Sequence, residues 1–284
     1  MKFACIGGDR RQVEIAAYLS SIGHEVIAFG LPRDERFLLS ATVFEAINQS
    51  DAVVLPLPVS RDANTVNTPL TGDVIILNDL LLCRPHLVFG GIISPILRKE
   101  LENRNIEYYD YYDSEALTVK NAVLTAEAAI AIAVSCTDFS LFGSKSLVLG
   151  YGRIGRQLAR YLKALGSSVT ATTRTDGIMA VIEADCITPL KTQKCIEKCA
   201  EFDFIFNTVP APILDRSFFK ACKKTVFIED LATDSGIDLA SAHELGLNAA
   251  VYSGLPGKHS PKKAAQFIAE EILSFLERRE KYAK

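Results

Sequence analysis

The residues with the most specific chemistry are Gly150, Tyr151, Gly152, Arg153, Ile154 and Gly155. They spell G-x-G-x-x-G directly after the run Ser146-Leu147-Val148-Leu149. Behind them Ile154, Leu158, Tyr161, Leu162 and Leu165 recur at helical spacing until Gly166. A strand, a glycine turn and a helix start within about thirty residues are what a bound dinucleotide requires. The first glycine permits the tight turn, the second lets backbone approach a pyrophosphate, and the third lets helix pack on strand. The helix start then offers unpaired N–H groups to negative charge. The competing reading is a glycine-rich turn without a ligand.

The next determinant is expected at the end of the following strand. An Asp or Glu there would bind the ribose 2′-hydroxyl of NAD. The chain instead has Thr172, Thr173, Arg174 and Thr175, with Asp176 late. Thr173, Arg174 and Thr175 suit a 2′-phosphate, which favours NADP and leaves NAD open. The blander alternative has Arg174 stacking on adenine and selecting nothing. Asn207, Thr208, Val209 and Pro210 follow the fourth strand of this half. Ligands gather beyond such strand ends, so Asn207 and Thr208 are expected to hydrogen-bond the cofactor while Pro210 stiffens the loop.

Lys258 and His259 are the only cationic or titratable groups in the Gly-rich stretch 253–261. They are the candidate catalytic residues. Either suits a carboxylate, and His259 can transfer protons near neutral pH. A capped helix start with an exposed Lys and His competes equally. Candidate substrate-binding residues are Arg10, Ser60, Arg61, Gly90 and Gly91 on strand-end loops of the first half, with Thr125 and Glu127 on a small-residue helix. An Arg fork suits a carboxylate. For each of these taken singly, a solvated surface role competes with substrate contact.

The elements that must position these groups alternate strand and helix almost throughout. In the first half, strands are expected at 2–7, 24–29, 52–57, 87–91 and 107–112, and 74–77 reads as a strand or a helix start. Helices are expected at 11–22, 43–49 and 94–103. A helix rich in small residues should begin near Asn121. In the second half, strands are expected at 146–149, 168–173, 186–188, 204–208, 225–228 and 249–252. Helices fall near 154–165, 177–184, 191–201, 214–222 and 237–245, and a last one runs from Pro261 to Arg279. Near-continuous apolar strands separated by helices imply parallel sheets covered on both faces. The fold class is therefore α/β, with two doubly wound parallel-sheet, Rossmann-like domains and a cleft between them. The expected division is a flavodoxin- or Rossmann-like substrate domain at 1–120, a linking helix at 121–139 and an NAD(P)-binding domain at 140–260. The segment 261–284 is a C-terminal helix packing back across the domains.

The whole-chain numbers agree with this division. A chain of 284 residues exceeds the length of about 150 residues typical of one domain. With 49% hydrophobic residues it is too apolar to be largely disordered. A net charge of −3 offers no basic field for nucleic acid. No segment reads as a signal peptide or a membrane span, so no membrane partner is expected and the expected location is the cytoplasm. The seven cysteines include no C-x-x-C. Cys195 and Cys199 are four apart, but no further ligand completes a tetrahedral set, so no metal is expected.

Several stretches together resemble one family. These are Ile-Gly-Gly-Asp-Arg-Arg-Gln at 6–12, Leu-Pro-Leu-Pro at 55–58, Phe-Gly-Gly-Ile at 89–92 and Asn-Ala-Val-Leu-Thr-Ala-Glu at 121–127. The fingerprint at 150–155, Asn-Thr-Val-Pro at 207–210 and Gly-Leu-Pro-Gly-Lys at 254–258 complete the set. The pattern is similar to the family of dipicolinate synthase A subunits. Family members continue the Asp-Leu-Ala region with Pro-Gly-Gly, whereas this chain reads Asp-Leu-Ala-Thr-Asp-Ser-Gly at 230–236. The resemblance implies NADP-dependent oxidation of dihydrodipicolinate to dipicolinate, the calcium chelator of bacterial spores. It also implies a small dicarboxylate substrate and a second, flavoprotein-like partner subunit. Whether the chain forms a homo-oligomer is left open.

Three alternatives stand beside this. A 2-hydroxy-acid dehydrogenase would want an Arg after the fifth strand, where Glu229 and Asp230 stand. A shikimate-type dehydrogenase would want a Lys near 94–97, which reads Ser-Pro-Ile-Leu. A non-catalytic, NADP(H)-binding regulatory partner fits the lack of an unmistakable catalytic pair.

Overall fold

The computed structural model describes residues 1–232 and 236–282. The chain divides into two compact units, Met1–Asn121 with Gly257–Lys284, and Ala122–Pro256.

The first unit runs β1 (Lys2–Ile6), α1 (Arg10–Ser21), β2 (Glu25–Phe29), β3 (Leu38–Leu39), α2 (Val43–Asn48), β4 (Ala52–Val54), α3 (Leu77–Leu82), β5 (Leu87–Gly90), α4 (Pro95–Asn103) and β6 (Glu107–Asp110). Its sheet is parallel, in the order β3-β2-β1-β4-β5-β6. Helix starts follow from local hydrogen bonding. The Asp9 carboxylate accepts from the Arg11 backbone N–H at 2.9 Å at the start of α1, and Ser94 Oγ accepts from Leu97 before Pro95 opens α4. Apolar residues of β1, β4 and β5 fill both faces. Phe3, Cys5 and Phe89 pack on one side, and Ala4, Ile6 and Val88 on the other.

The helix α5 (Glu115–Ser135) carries the chain into the second unit. That unit contains β7 (Lys145–Leu149), α6 (Arg153–Ala164), β8 (Ser168–Thr173), α7 (Asp176–Ala184), β9 (Thr188–Lys191), α8 (Cys195–Lys198), β10 (Phe204–Asn207), α9 (Arg216–Ala221), β11 (Phe227–Asp230), α10 (Leu239–Glu244) and β12 (Asn248–Val251). Its sheet is also parallel, ordered β12-β11-β10-β7-β8-β9. Both orders are the doubly wound arrangement, with the first strand next to the fourth. The chain then forms α11 (Leu255–His259) and α12 (Pro261–Tyr282). Ile268, Ala269 and Ile272 of α12 share the first unit's core with Ile15 and Leu19 of α1.

Several elements differ from expectation for identifiable reasons. α5 begins at Glu115 rather than near Asn121, because Ser114 Oγ accepts from Leu117 and caps six residues earlier. The strand expected at 186–188 is β9 at Thr188–Lys191, since Cys186 has φ of 54° and turns the chain out of α7. The helix expected at 191–201 is a 3-10 turn at Thr192–Lys194, the single turn α8 and a second 3-10 turn. The segment 74–77 makes no strand, and α3 starts at Leu77. The stretch 253–261, read as a loop, contains α11.

α5 is, among the described residues, the one helix long and apolar enough to cross a membrane. Its Ala126, Ala129, Ile132 and Ala133 instead lie in the second unit's core beside Val148, Phe204 and Phe206. Cys195, Cys199 and Cys222 are buried in the apolar core on the opposite face of that sheet. Among the described residues no cluster of metal-ligating groups occurs.

Candidate functional site

β7 delivers the chain into the glycine turn. Gly150 has φ of +89°, and a Cβ there would lie 2.7 Å from Val209 Cγ2 and 2.8 Å from Thr208 Oγ1. At Gly155 a Cβ would lie 2.3 Å from the Gly150 carbonyl oxygen. These two glycines are therefore required by packing within the protein. Gly152 is different, because nothing lies within 4 Å of where its Cβ would be. Of the three glycines in this turn, the one with open space is the one whose backbone should meet a pyrophosphate. Gly152 caps α6 without any side-chain hydrogen bond, as a residue with no side chain must, and the first turn of a helix is where backbone N–H groups suit an anion. Arg153 is exposed on the first turn of α6 and Ile154 is half-buried. These observations fit a nicotinamide dinucleotide.

Tyr151 is buried, and its hydroxyl donates to Asp185 Oδ2 at 2.8 Å. Arg156 Nε donates to the same oxygen at 2.8 Å. The Arg156 and Tyr151 hydrogen bonds hold the Asp185 carboxyl below the ordinary range, while burial pushes the Tyr151 phenol up. Tyr151 thus braces the turn rather than offering its hydroxyl to a ligand.

A cavity of 510 Å³ opens beside this turn. Gly150, Thr172, Thr173, Arg174, Val209 and Pro210 line it, as do Thr192 and Gln193. Thr172 is buried, and its Oγ1 accepts from the Gly150 N–H at 3.1 Å. Thr175 is the N-cap of α7 and donates its backbone N–H to Thr173 Oγ1 at 3.3 Å. Arg174 is exposed at the cavity, and among the described residues its guanidinium has no ion-pair partner. Asp176, the nearest carboxylate in sequence, is paired with Lys191. A separate 330 Å³ cavity near Lys145, Ser168 and Thr188 sits at the amino ends of β7, β8 and β9, away from the glycine turn.

The loop after β10 is organised internally. Asn207 Nδ2 donates to the Val209 carbonyl at 3.1 Å, and the Val209 N–H donates back to Asn207 Oδ1 at 3.1 Å. Thr208 Oγ1 donates to the Leu149 carbonyl at 2.8 Å. Both side chains shape the loop against the end of β7, and Val209 and Pro210 face the cavity.

In the first unit, Gly257 of α11 packs on the first turn after β1. A Cβ at Gly257 would lie 2.8 Å from both Arg11 Nε and Asp9 Oδ2. Arg11 is buried and donates to Asp9 at 2.8 Å and to the Leu57 carbonyl at 2.5 Å. This brings the backbone beside Lys258 and His259 to the loop that carries Arg10. All three side chains are exposed. Ser60 donates to Asp62 Oδ1 at 3.0 Å, and Arg61 is exposed. Gly90 and Gly91 are buried by packing, since added Cβ atoms would meet Val59 at 2.7 Å and Leu57 and Tyr111 at 2.6 Å. Thr125 is buried on α5 and Glu127 is exposed.

Sequence reasoning missed Thr192, Gln193, Arg11 and Glu229. Thr192 and Gln193 were hidden by reading 191–201 as one helix. Arg11 follows Arg10 and gave no sign of which would be buried. Glu229 follows the strand expected at 225–228, whereas β11 runs on to Asp230 and carries it into the sheet.

Residues 2–112 match the family model of the N-terminal domain of the dipicolinate synthase A subunit. Residues 99–241 match the NAD binding domain of the D-isomer specific 2-hydroxyacid dehydrogenases. The dipicolinate synthase A subunit of Bacillus subtilis is 28% identical over 97% of this chain and 96% of its own length. The crystal structure of the A subunit from Bacillus halodurans superposes with a TM-score of 0.86 at 27% identity, covering 97% of each chain. The corresponding crystal structure from Bacillus subtilis gives 0.86 at 28% identity, over 100% of this chain and 98% of that one. An open glycine turn beside a cavity, carried on the NAD binding domain of the D-isomer specific 2-hydroxyacid dehydrogenase family, makes this chain an NAD(P)-dependent oxidoreductase that is similar along nearly its whole length to dipicolinate synthase A subunits.

Proposed function

We propose that this protein oxidises dihydrodipicolinate to dipicolinate (pyridine-2,6-dicarboxylate) with NADP as hydride acceptor, as one subunit of dipicolinate synthase in spore formation. The observation that carries the cofactor half of this reading is the open Gly152 beside a cavity lined by Arg174. The end-to-end similarity to the dipicolinate synthase A subunit supports the substrate half.

When bound, the nicotinamide ring accepts a hydride at C4. The chain's own residues do the rest. The N–H groups at the start of α6 hold the pyrophosphate, and Gly152 lets it approach. Arg174, with Thr173 and Thr175, binds the 2′-phosphate, since Asp176 is already neutralised by Lys191. Val209 and Pro210 set the wall beside the dinucleotide. Lys258, Arg10 and Arg61 bind substrate carboxylates by charge-assisted hydrogen bonds. His259 takes the proton lost from the substrate ring. Because the product is aromatic, the reaction asks little of that base. Orientation and charge binding are the protein's main contributions.

The relatives are themselves named as one subunit of a synthase, which supports a second subunit, and we propose that this partner is flavoprotein-like. Seven free cysteines, four of them buried, suit a reducing compartment, and we place the protein in the cytoplasm.

Co-crystallisation with NADP+ and pyridine-2,6-dicarboxylate tests the assignment. The expected density is a nucleotide along 150–155 with its 2′-phosphate on Arg174, and a dicarboxylate at Lys258 and Arg10. A nucleotide bound away from the glycine turn, or a dicarboxylate far from α11, would overturn it.

A further inference from the structure

Glu229 is the penultimate residue of β11, with 0% exposure, and among the described residues neither carboxyl oxygen has a hydrogen-bond partner. Buried carboxyls without partners are rare because burial without a hydrogen bond is costly. The register pairs Glu229 with Phe206 of β10 and Ala250 of β12. Its neighbours two residues away, Phe227 and Leu231, belong to the core beneath the small-residue face of α5. The carboxyl therefore lies on that face, one residue inside the carboxyl edge of the sheet.

That edge is where the second half of a dinucleotide has to go. Arg174 and Thr173 at the end of β8 take the adenosine side, and the turn after β7 takes the pyrophosphate. β10 and β11 continue the sheet on the other side of β7, at a spacing of about 4.8 Å per strand. The nicotinamide side must lie over the ends of these two strands.

We propose that Glu229 is the group that balances the charge of the nicotinamide ring: neutral in the free protein, ionised beneath the oxidised ring, and protonated again once the ring is reduced. This rests on the cofactor reading above. The balance is simple. Binding of NADP+ releases up to one proton from Glu229 to solution. Hydride arrival removes the positive charge of the ring, and the carboxylate then takes one proton back. No bond to the substrate is formed or broken by Glu229.

The other groups on this face do not compete for the role. α5 presents Ala126, Ala129 and Ala133 there, with Glu127 exposed on another face. β10 presents Phe204 and Phe206. After β12, Tyr252 stands on the same face, its hydroxyl 3.9 Å from Cys136 Sγ, and burial pushes its phenol up to about 12. Tyr151 is engaged by Asp185. Burial alone pushes the Glu229 carboxyl up to about 9, which leaves it neutral at pH 7 and able to respond to a nearby cation.

The test is the pH dependence of nucleotide affinity, measured by calorimetry for NADP+ and NADPH separately on the full chain. The 2′-phosphate is common to both nucleotides and cancels in the comparison. Affinity for NADP+ is expected to rise up to tenfold per pH unit between pH 7 and about 9 and then level off. The NADPH profile lacks this rise, and Glu229→Gln, which keeps the shape and a neutral group, makes the two profiles parallel. Proton release on NADP+ binding, followed with an indicator dye in weak buffer, disappears in the same variant. Parallel profiles in the unaltered protein, or a slope that survives Glu229→Gln, would overturn the proposal and leave the cofactor reading intact. Failure to bind either nucleotide would overturn both.

Discussion

The backbone N–H of Gly150 donates to Thr172 Oγ1 at 3.1 Å, joining the first glycine of the nucleotide turn to the strand whose end carries Arg174. The glycine turn and the proposed 2′-phosphate selector are thus linked through one hydrogen bond. Thr172→Val keeps the side-chain shape but removes the acceptor. It should cost about 1–3 kcal/mol of stability and weaken NADPH binding together with it. Thermal melts and NADPH fluorescence titration read the two effects.

The three glycines of the turn should separate by variant. A Cβ added at Gly152 meets nothing within 4 Å, so Gly152→Val should keep the fold's Tm while nucleotide binding is lost. Gly155→Ala would place its Cβ 2.3 Å from the Gly150 carbonyl oxygen, so it should destabilise the second unit by about 3 kcal/mol or more. Circular dichroism melts beside NADPH titration distinguish the two. Retained affinity in Gly152→Val would remove the turn from the account.

Arg174→Asp should shift preference from NADP toward NAD. The carboxylate would repel the 2′-phosphate and accept from the ribose hydroxyls. A change of about tenfold or more in the ratio of the two affinities is expected, the loss of one charge-assisted contact. An unchanged ratio would mean that Arg174 selects nothing.

Glu229 also imposes a pH dependence on stability. Its folded-state pKa is raised to about 9 from 4.5. An acid raised in the folded state contributes full stability below 4.5 and loses it progressively as pH rises to about 9. The loss between pH 4.5 and pH 7 is on the order of 3 kcal/mol. Glu229→Gln should therefore raise the Tm at pH 8 and change it little at pH 4. An equal Tm difference at both pH values would contradict the burial of a titrating carboxyl.

Much of this was legible before the fold was known. The turn at 150–155 was readable because only one residue type satisfies the contacts at Gly150 and Gly155. The alternation of strands and helices followed from apolar runs that must be covered on both faces. What escaped were details decided by tertiary contact. Asn207 and Thr208 have the right chemistry for a cofactor, but their side chains are used to hold their own loop. Gly90 and Gly91 look like an open approach for a substrate, yet Val59, Leu57 and Tyr111 occupy that space. Arg11 and Glu229 are charged residues inside the core, where pattern reading expects none.

The central claim is tested most directly by presenting the purified protein with NADP+ and dihydrodipicolinate generated in situ, alone and then with its partner subunit, while following absorbance of the reduced nicotinamide and of the pyridine product. The account predicts one NADPH per dipicolinate formed in excess of the spontaneous rate, and loss of both signals in Gly152→Val. Dipicolinate formation without nucleotide reduction, or no turnover under either condition, would contradict it.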